Sequence, residues 1–296
     1  MPTEEPYCKQ FRQDGWWGWR DASLQRGTVA WVEHTLSEGA DVEVFNQRVG
    51  SRLLRATEDA DDLSGSVVSY VKVTTSGLGY LLTHLSLPAA WAVWSTTQRM
   101  RRRGLSVPVI RFAAARQKRG RVENVVVMDA VPGPRLTELL VPESVDAYRR
   151  EVRRVAIASA RLHDAGFIHG DLLPGNVILP HLPDRLPAAD ASDSAGEEIA
   201  AGEAEAEVVF IDNDRTRLVW GPWRFRARYR NVSQMCFRLR RRVGWREARL
   251  FLEYYLDAMH GSARNKAVLR QLVIRKTKQR SGKYTPGSVP PLKPRP

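Results

Sequence analysis

The sequence predicts an α+β fold in two lobes, the first rich in strands and the second mainly helical. Three observations carry that prediction. β-branched runs fall in the first half, at Val67–Val73 and Val122–Met128. Helical apolar spacing dominates later, most clearly over Val145–Ala165. Just after that helix, carboxylates and amides recur at fixed spacing on turns, where a rigid scaffold presents chemistry.

Taken in order, residues 1–27 read as an aromatic segment. Its Trp16, Trp17 and Trp19, with Trp31 beyond it, suit packing in a core, or else stacking on a sugar or resting at a membrane interface. Residues 28–130 form the first lobe. The Val67–Val73 strand carries Lys72 among valines and a tyrosine, which is either a phosphate-gripping lysine or a plain exposed strand residue. Leu87–Arg103 has helical spacing and ends at Gly104. After the Val122–Met128 strand, the stretch Val127–Gly133 reads as a connection whose backbone at Met128, Asp129 and Ala130 would meet an adenine ring.

Residues 131–275 form the second lobe, whose long helix Val145–Ala165 is closed by Gly166. Within this lobe, residues 183–207 hold eight acids and one Arg in a stretch rich in Ala, Ser and Gly, which reads as a solvated insertion. Residues 276–296 read as a basic, Pro-rich tail.

The 296 residues are 43% hydrophobic and 27% charged, as in ordinary globular domains, and no long uninterrupted apolar run offers a membrane span. The N-terminus lacks the pattern of a secretory signal, so a cytoplasmic protein is expected. Cys8 and Cys236 are too few to staple a fold of this size. The 46 Lys and Arg exceed the 33 Asp and Glu by +13, which favours anionic partners such as a phosphorylated glycan, an anionic membrane surface or nucleic acid. That excess is C-terminal: residues 215–249 hold twelve Arg against the single acid Glu247.

The segment LHDAGFIHGDLLPGNVIL places Asp171 two residues after His169 and Asn176 five residues after Asp171. Phosphoryl transfer needs a carboxylate to accept or orient the attacking hydroxyl, and hard oxygens to hold magnesium against ATP phosphates. Asp171 fits the first role and Asn176 the second. Farther on, the apolar strand Val208–Ile211 delivers Asp212, a second metal-binding carboxylate, within FIDNDR. His169 either transfers a proton or packs to hold the loop. Asp214 and Arg215 either position the loop or, for Asp214, share the metal. The arginines of RFRARYR, Arg224–Arg230, suit a clamp on acceptor phosphates as well as a solvated helix face.

YVKV at Tyr70–Val73, RRRGLSVP at Arg101–Pro108, VVVMDAVPG at Val125–Gly133, the Asp171 segment, FIDNDR and FLEYYL at Phe251–Leu256 together resemble the lipopolysaccharide kinase family, over roughly residues 45–260. This is the group of heptose and Kdo kinases, a branch of the protein-kinase-like fold. The resemblance implies a bilobal kinase that transfers the γ-phosphoryl group of ATP, with magnesium, to a hydroxyl of an inner-core sugar at the cytoplasmic membrane face. Its acceptor would be an anionic glycan or glycolipid. Two departures stand out. Val93 occupies the position where the family carries a glutamate to pair with the strand lysine, which leaves open a nucleotide-binding pseudokinase, or a glutamate from elsewhere as the partner of Lys72. No GxGxxG precedes Lys72; Gly50 with Ser51, or Gly65 with Ser66, are the candidates for a turn over the phosphates. A protein kinase is a further alternative, although no APE follows Asp212.

Overall fold

Alternation along β7 (Arg121–Asp129) sends Val125 and Val127 to one face of a sheet and Val126 to the other, and the surrounding architecture follows from that period of two. In the computed structural model, the described residues are 8–21, 28–37, 42–48, 51–58, 67–76, 89–140, 145–180 and 208–281. They pack as two units. One spans Met1–Val131 with Val209–Arg215, and the other spans Pro132–Val208 with Thr216–Pro296.

The first unit is built on a seven-stranded antiparallel sheet in the order β1-β2-β6-β7-β5-β4-β3. Its strands are β1 (Cys8–Gln13), β2 (Trp16–Asp21), β3 (Val42–Arg48), β4 (Ser51–Glu58), β5 (Val67–Ser76), β6 (Ile110–Lys118) and β7. The aromatic segment therefore supplies two strands of this sheet. Gly18 makes that addition sterically feasible: a Cβ there would collide with the carbonyl of Ala113 and lie 2.6 Å from Cα of Ala114, so only glycine lets β2 approach β6 so closely.

Helix α1 (Val29–Leu36) covers one face, where Val29 and Val32 pack with Trp16, Leu54, Val71, Val73, Phe112, Val125 and Val127. Thr28 caps α1 by accepting from the Trp31 amide. Trp16 is fully buried, donates from its indole to Glu33 at 2.7 Å, and lies under the Arg116 guanidinium at 4.3 Å from its centroid. Helix α2 (Ala89–Arg101) covers the opposite face through Ala90 and Val93, against Ile110, Ala113 and Val126. Trp19 reaches the same helix, stacked on Trp94 with centroids 4.6 Å apart. These contacts are the packing alternative for the tryptophans.

The second unit carries α3 (Leu136–Leu139), α4 (Val145–Asp164), α5 (Trp223–Val243), α6 (Trp245–Ala258) and α7 (Ala263–Ser281). Their core is apolar and tightly closed: Val155, Ala156 and Leu162 of α4 are buried, as are Val232, Met235 and Leu239 of α5 and Phe251, Leu252 and Leu256 of α6. Helix α7 runs through residues 276–281, the start of the expected tail, because Leu269, Val273 and Thr277 recur every four residues on a buried stripe. The rest of the tail and the acidic insertion lie outside the described residues. Short strands β8 (Phe167–Ile168), β9 (Val177–Ile178) and β11 (Arg217–Leu218) belong to this unit, β8 pairing antiparallel with β11, while β10 (Val209–Phe210) belongs to the first. Among the described residues, no helix is long and apolar enough to cross a membrane.

Candidate functional site

In the first unit, Lys72 stands opposite Val126 in the β5–β7 register and so shares the face that α2 covers. Its Nζ lies 2.6 Å from Asp212 Oδ1 and 2.5 Å from Asp214 Oδ2. Burial opposes the charge on Lys72, yet the two carboxylates outweigh it and raise its pKa above the ordinary value. Lys72 thus has partners that α2 does not provide. Val93, at the position of the missing glutamate, is a core side chain against Ala113 and Val126.

Asp212 follows β10 with φ at 61°, the left-handed region that aspartate tolerates better than most residues. The turn is held from both sides. Asn213 Nδ2 donates to the Phe210 carbonyl at 2.9 Å, and the Phe210 amide donates to Ser106 at 3.2 Å. Asp212 and Asp214 keep 44% and 32% of their side-chain surface exposed, so their oxygens remain open to solvent and ligands.

Met128 and Asp129 end β7, and Ala130 follows it. The amide of Asp129 donates to Val109 and that of Ala130 to Val68, both at 3.0 Å, and the Asp129 carboxylate is engaged by Arg111 at 2.7 Å. At Asp129 and Ala130, backbone recognition of a base would therefore rest on carbonyl oxygens, since both amide hydrogens are used by the fold. Gly50, Gly65 and Ser66 lie outside the described residues; Ser51 begins β4.

In the second unit, Asp171 follows Gly170, whose φ is 78°. Gln234 on α5 donates from Nε2 to Asp171 Oδ1 at 2.5 Å and fixes the rotation of that carboxylate. Asn176 donates from Nδ2 to the Asp171 carbonyl at 3.0 Å, so the amide oxygen is the atom it can turn toward a cation. His169 is fully buried. Its amide donates to Asn231 Oδ1 at 3.1 Å and its carbonyl accepts from Thr216 at 3.2 Å, which is the arrangement of a residue that holds the loop.

Beneath the loop runs a buried relay. Burial drives the His163 pKa down to about 3, so its ring is neutral. Because Asn231 Oδ1 already accepts from His169, His163 Nε2–H donates to that oxygen at 3.1 Å, and Nδ1 accepts from the Tyr255 hydroxyl at 2.7 Å. Burial pushes the Tyr255 hydroxyl up from its usual value, which keeps it a donor. Helices α4, α5 and α6 thus meet in one chain of hydrogen bonds that ends on the backbone of His169.

Arg224 and Arg228 also act structurally. Arg224 donates to the His163 and Asp164 carbonyls at the end of α4, and Arg228 pairs with the Asp164 carboxylate at 2.6 Å. The sequence reading missed Gln234, Asn231, His163, Arg224 and Arg228 as organising residues. His163 lay within LHDAGFIHGDLLPGNVIL, Arg224 and Arg228 within RFRARYR and Tyr255 within FLEYYL, whereas Asn231 and Gln234 lay in no quoted motif.

Three comparisons with known proteins bear on this arrangement. The family model described as lipopolysaccharide kinase (Kdo/WaaP) matches residues 69–255, more than half of the chain. The KEOPS complex subunit Bud32 of Pyrococcus abyssi (strain GE5 / Orsay) is 38% identical over 55 residues, which are 19% of this chain. That match spans 25% of the length of Bud32. A solved structure of WaaP in complex with acyl carrier protein superposes with a TM-score of 0.52 at 19% identity, over 80% of this chain and 88% of that one. The strand-rich first unit and helical second unit accordingly share the kinase-like fold of WaaP. The chain belongs to the lipopolysaccharide kinase (Kdo/WaaP) family, whose members are phosphotransferases.

Proposed function

We propose that the protein transfers the γ-phosphoryl group of ATP to a hydroxyl of an inner-core sugar of lipopolysaccharide, or of a related anionic glycan. The observation that carries this reading is the Lys72–Asp212 ion pair at 2.6 Å, which joins a strand lysine to a carboxylate 140 residues later. Such a pairing within the first unit matches the division of labour in kinases, with the lysine for phosphates and the aspartate for the metal.

The donors fit the nucleotide and its metal. Asp212 and the Asn176 amide present hard oxygens suited to magnesium, and Lys72 presents a cation suited to phosphate. Magnesium, when bound with ATP, supplies neutralisation of the phosphate oxygens. Asp171, its carboxylate oriented by Gln234, accepts the proton of the sugar hydroxyl or aligns that hydroxyl for attack. His169 is a positioning residue on this reading, and Asp214 holds Lys72 in place of a helix glutamate. Carbonyls of the Met128–Ala130 stretch contribute to the adenine site.

The pseudokinase alternative drew on the +13 charge and on Val93, and the pairing of Lys72 with Asp212 and Asp214 supports the active reading over it. Contact with the inner face of the cytoplasmic membrane is part of the proposal and draws on the +13 charge.

The test is ATP turnover with magnesium, with and without delipidated inner-core oligosaccharide, in wild type, Asp171→Ala and Lys72→Ala. Turnover stimulated by the oligosaccharide and lost in both variants is the expected result. Equal turnover in Asp171→Ala would remove the catalytic assignment, and indifference to the oligosaccharide would remove the acceptor.

A further inference from the structure

The cationic segment Trp223–Arg230 divides by helical phase. Arg224 and Arg228, four apart, turn toward Asp164 and are consumed in holding the end of α4. Trp223, Arg226 and Arg230, spaced by three and four, lie on another face of α5 and line a cavity of about 610 Å³ within the second unit. Arg217 and Trp220 line it from β11 and the segment after it, and Gly170, the residue before Asp171, is also in the lining.

Its chemistry is uneven in a telling way. Among the described residues no Asp or Glu lines the cavity, whereas three guanidiniums do, and all three are exposed. Trp220 and Trp223 are 69% and 67% exposed, and two large exposed indoles beside one opening are costly unless something covers them. An indole face packs on the apolar C–H face of a pyranose, and a guanidinium binds phosphate or carboxylate in bidentate fashion. The volume falls in the range of small-ligand sites.

We propose that this cavity is a subsite for a sugar bearing a phosphate or carboxylate, with Trp223 and Trp220 stacking on the ring and Arg217, Arg226 and Arg230 holding the anionic group. The inference rests on the sugar-kinase reading above, which it deepens. It makes the acceptor anionic before any phosphoryl group is added. Because Gly170 lines the cavity, a sugar held there places its neighbouring unit beside Asp171.

The test is a titration of the intact protein with glucose 6-phosphate, glucose, inorganic phosphate and a short oligothymidylate, without ATP. Tryptophan fluorescence reports occupancy in wild type, Trp223→Ala, Trp223→Phe, the double variant Arg226→Ala/Arg230→Ala, and Asp171→Ala. Glucose 6-phosphate should bind more tightly than glucose or phosphate alone. Its Kd should rise about tenfold or more in the two alanine variants, and stay near wild type in Trp223→Phe and Asp171→Ala.

Unchanged affinity in the alanine variants overturns the proposal, as does equal binding of glucose and glucose 6-phosphate, or no binding of either. Tighter binding of oligothymidylate, lost in the same variants, replaces the sugar with nucleic acid. Turnover separates the two claims. If turnover needs Asp171 while binding ignores these residues, only the subsite fails; if the cavity binds glucose 6-phosphate but Asp171→Ala turns over normally, only the catalytic reading fails.

Discussion

Lys72 would be a costly residue on a half-buried strand without compensation, and two carboxylates supply it. Asp214→Asn should leave Lys72 with one anionic partner and lower turnover by roughly tenfold, read by steady-state kinetics against wild type. Gln234→Ala should lower kcat by about tenfold to a hundredfold with KM for ATP little changed, since Gln234 turns the Asp171 carboxylate without touching the nucleotide. His163 makes a pH prediction whose sign is fixed by its burial. Its folded pKa of about 3 lies below the ordinary 6.5, so the unfolded chain takes up a proton that the folded chain refuses. That contribution to stability is complete above pH 6.5 and shrinks as pH falls toward 3. Urea unfolding at about pH 7 and pH 5.5 should show His163→Gln losing about 1 kcal/mol less than wild type over that interval.

At the scale of elements, α5 does three jobs at once: one side clamps α4, another meets Asp171 and His169, and a third faces the arginine-lined cavity. Arg228 is nearly buried against Asp164, so Arg228→Ala leaves a carboxylate without its cation and should cost about 3 kcal/mol in denaturant unfolding. Gly133 has φ at 118°, and a Cβ on it would collide with the Leu179 carbonyl and sit 2.8 Å from Cα of Pro180. Gly133→Ala should therefore lower Tm by several degrees, measured by calorimetry.

The sequence made some of these elements plain and hid others. β5, α2, β7 and α4 were legible because an apolar period or a closing glycine marks each within a short window: Gly104 follows α2 and Gly166 follows α4. Asp171 and Asn176 could be nominated from their local spacing, and Asp212 from the apolar strand that precedes it. The partners of Lys72 and Asp171 could not, because Asp214 and Gln234 lie far along the chain and no period connects residues that meet only through tertiary packing. The two strands in residues 8–21 were obscured by three polar or charged positions between the aromatics, Arg12, Gln13 and Asp14, where a strand edge needs no strict alternation.

For the whole molecule, an excess charge of +13 means that binding of an anionic acceptor should weaken with salt. Raising sodium chloride from about 50 to 200 mM should raise the acceptor KM severalfold, and a charge-independent acceptor contact would show no such dependence. The division into units has a consequence for synthesis. The first unit is not contiguous: it holds residues up to Val131 and then only Val209–Arg215, the piece that carries both partners of Lys72. A ribosome that has just released β7 has yet to make about eighty residues before that piece exists, a wait of about 4 to 16 s at usual rates of synthesis. During that interval the nascent sheet carries Lys72 with neither carboxylate, so the strand-rich half cannot mature from the N-terminus alone, and its completion is timed by the emergence of Asp212 and Asp214.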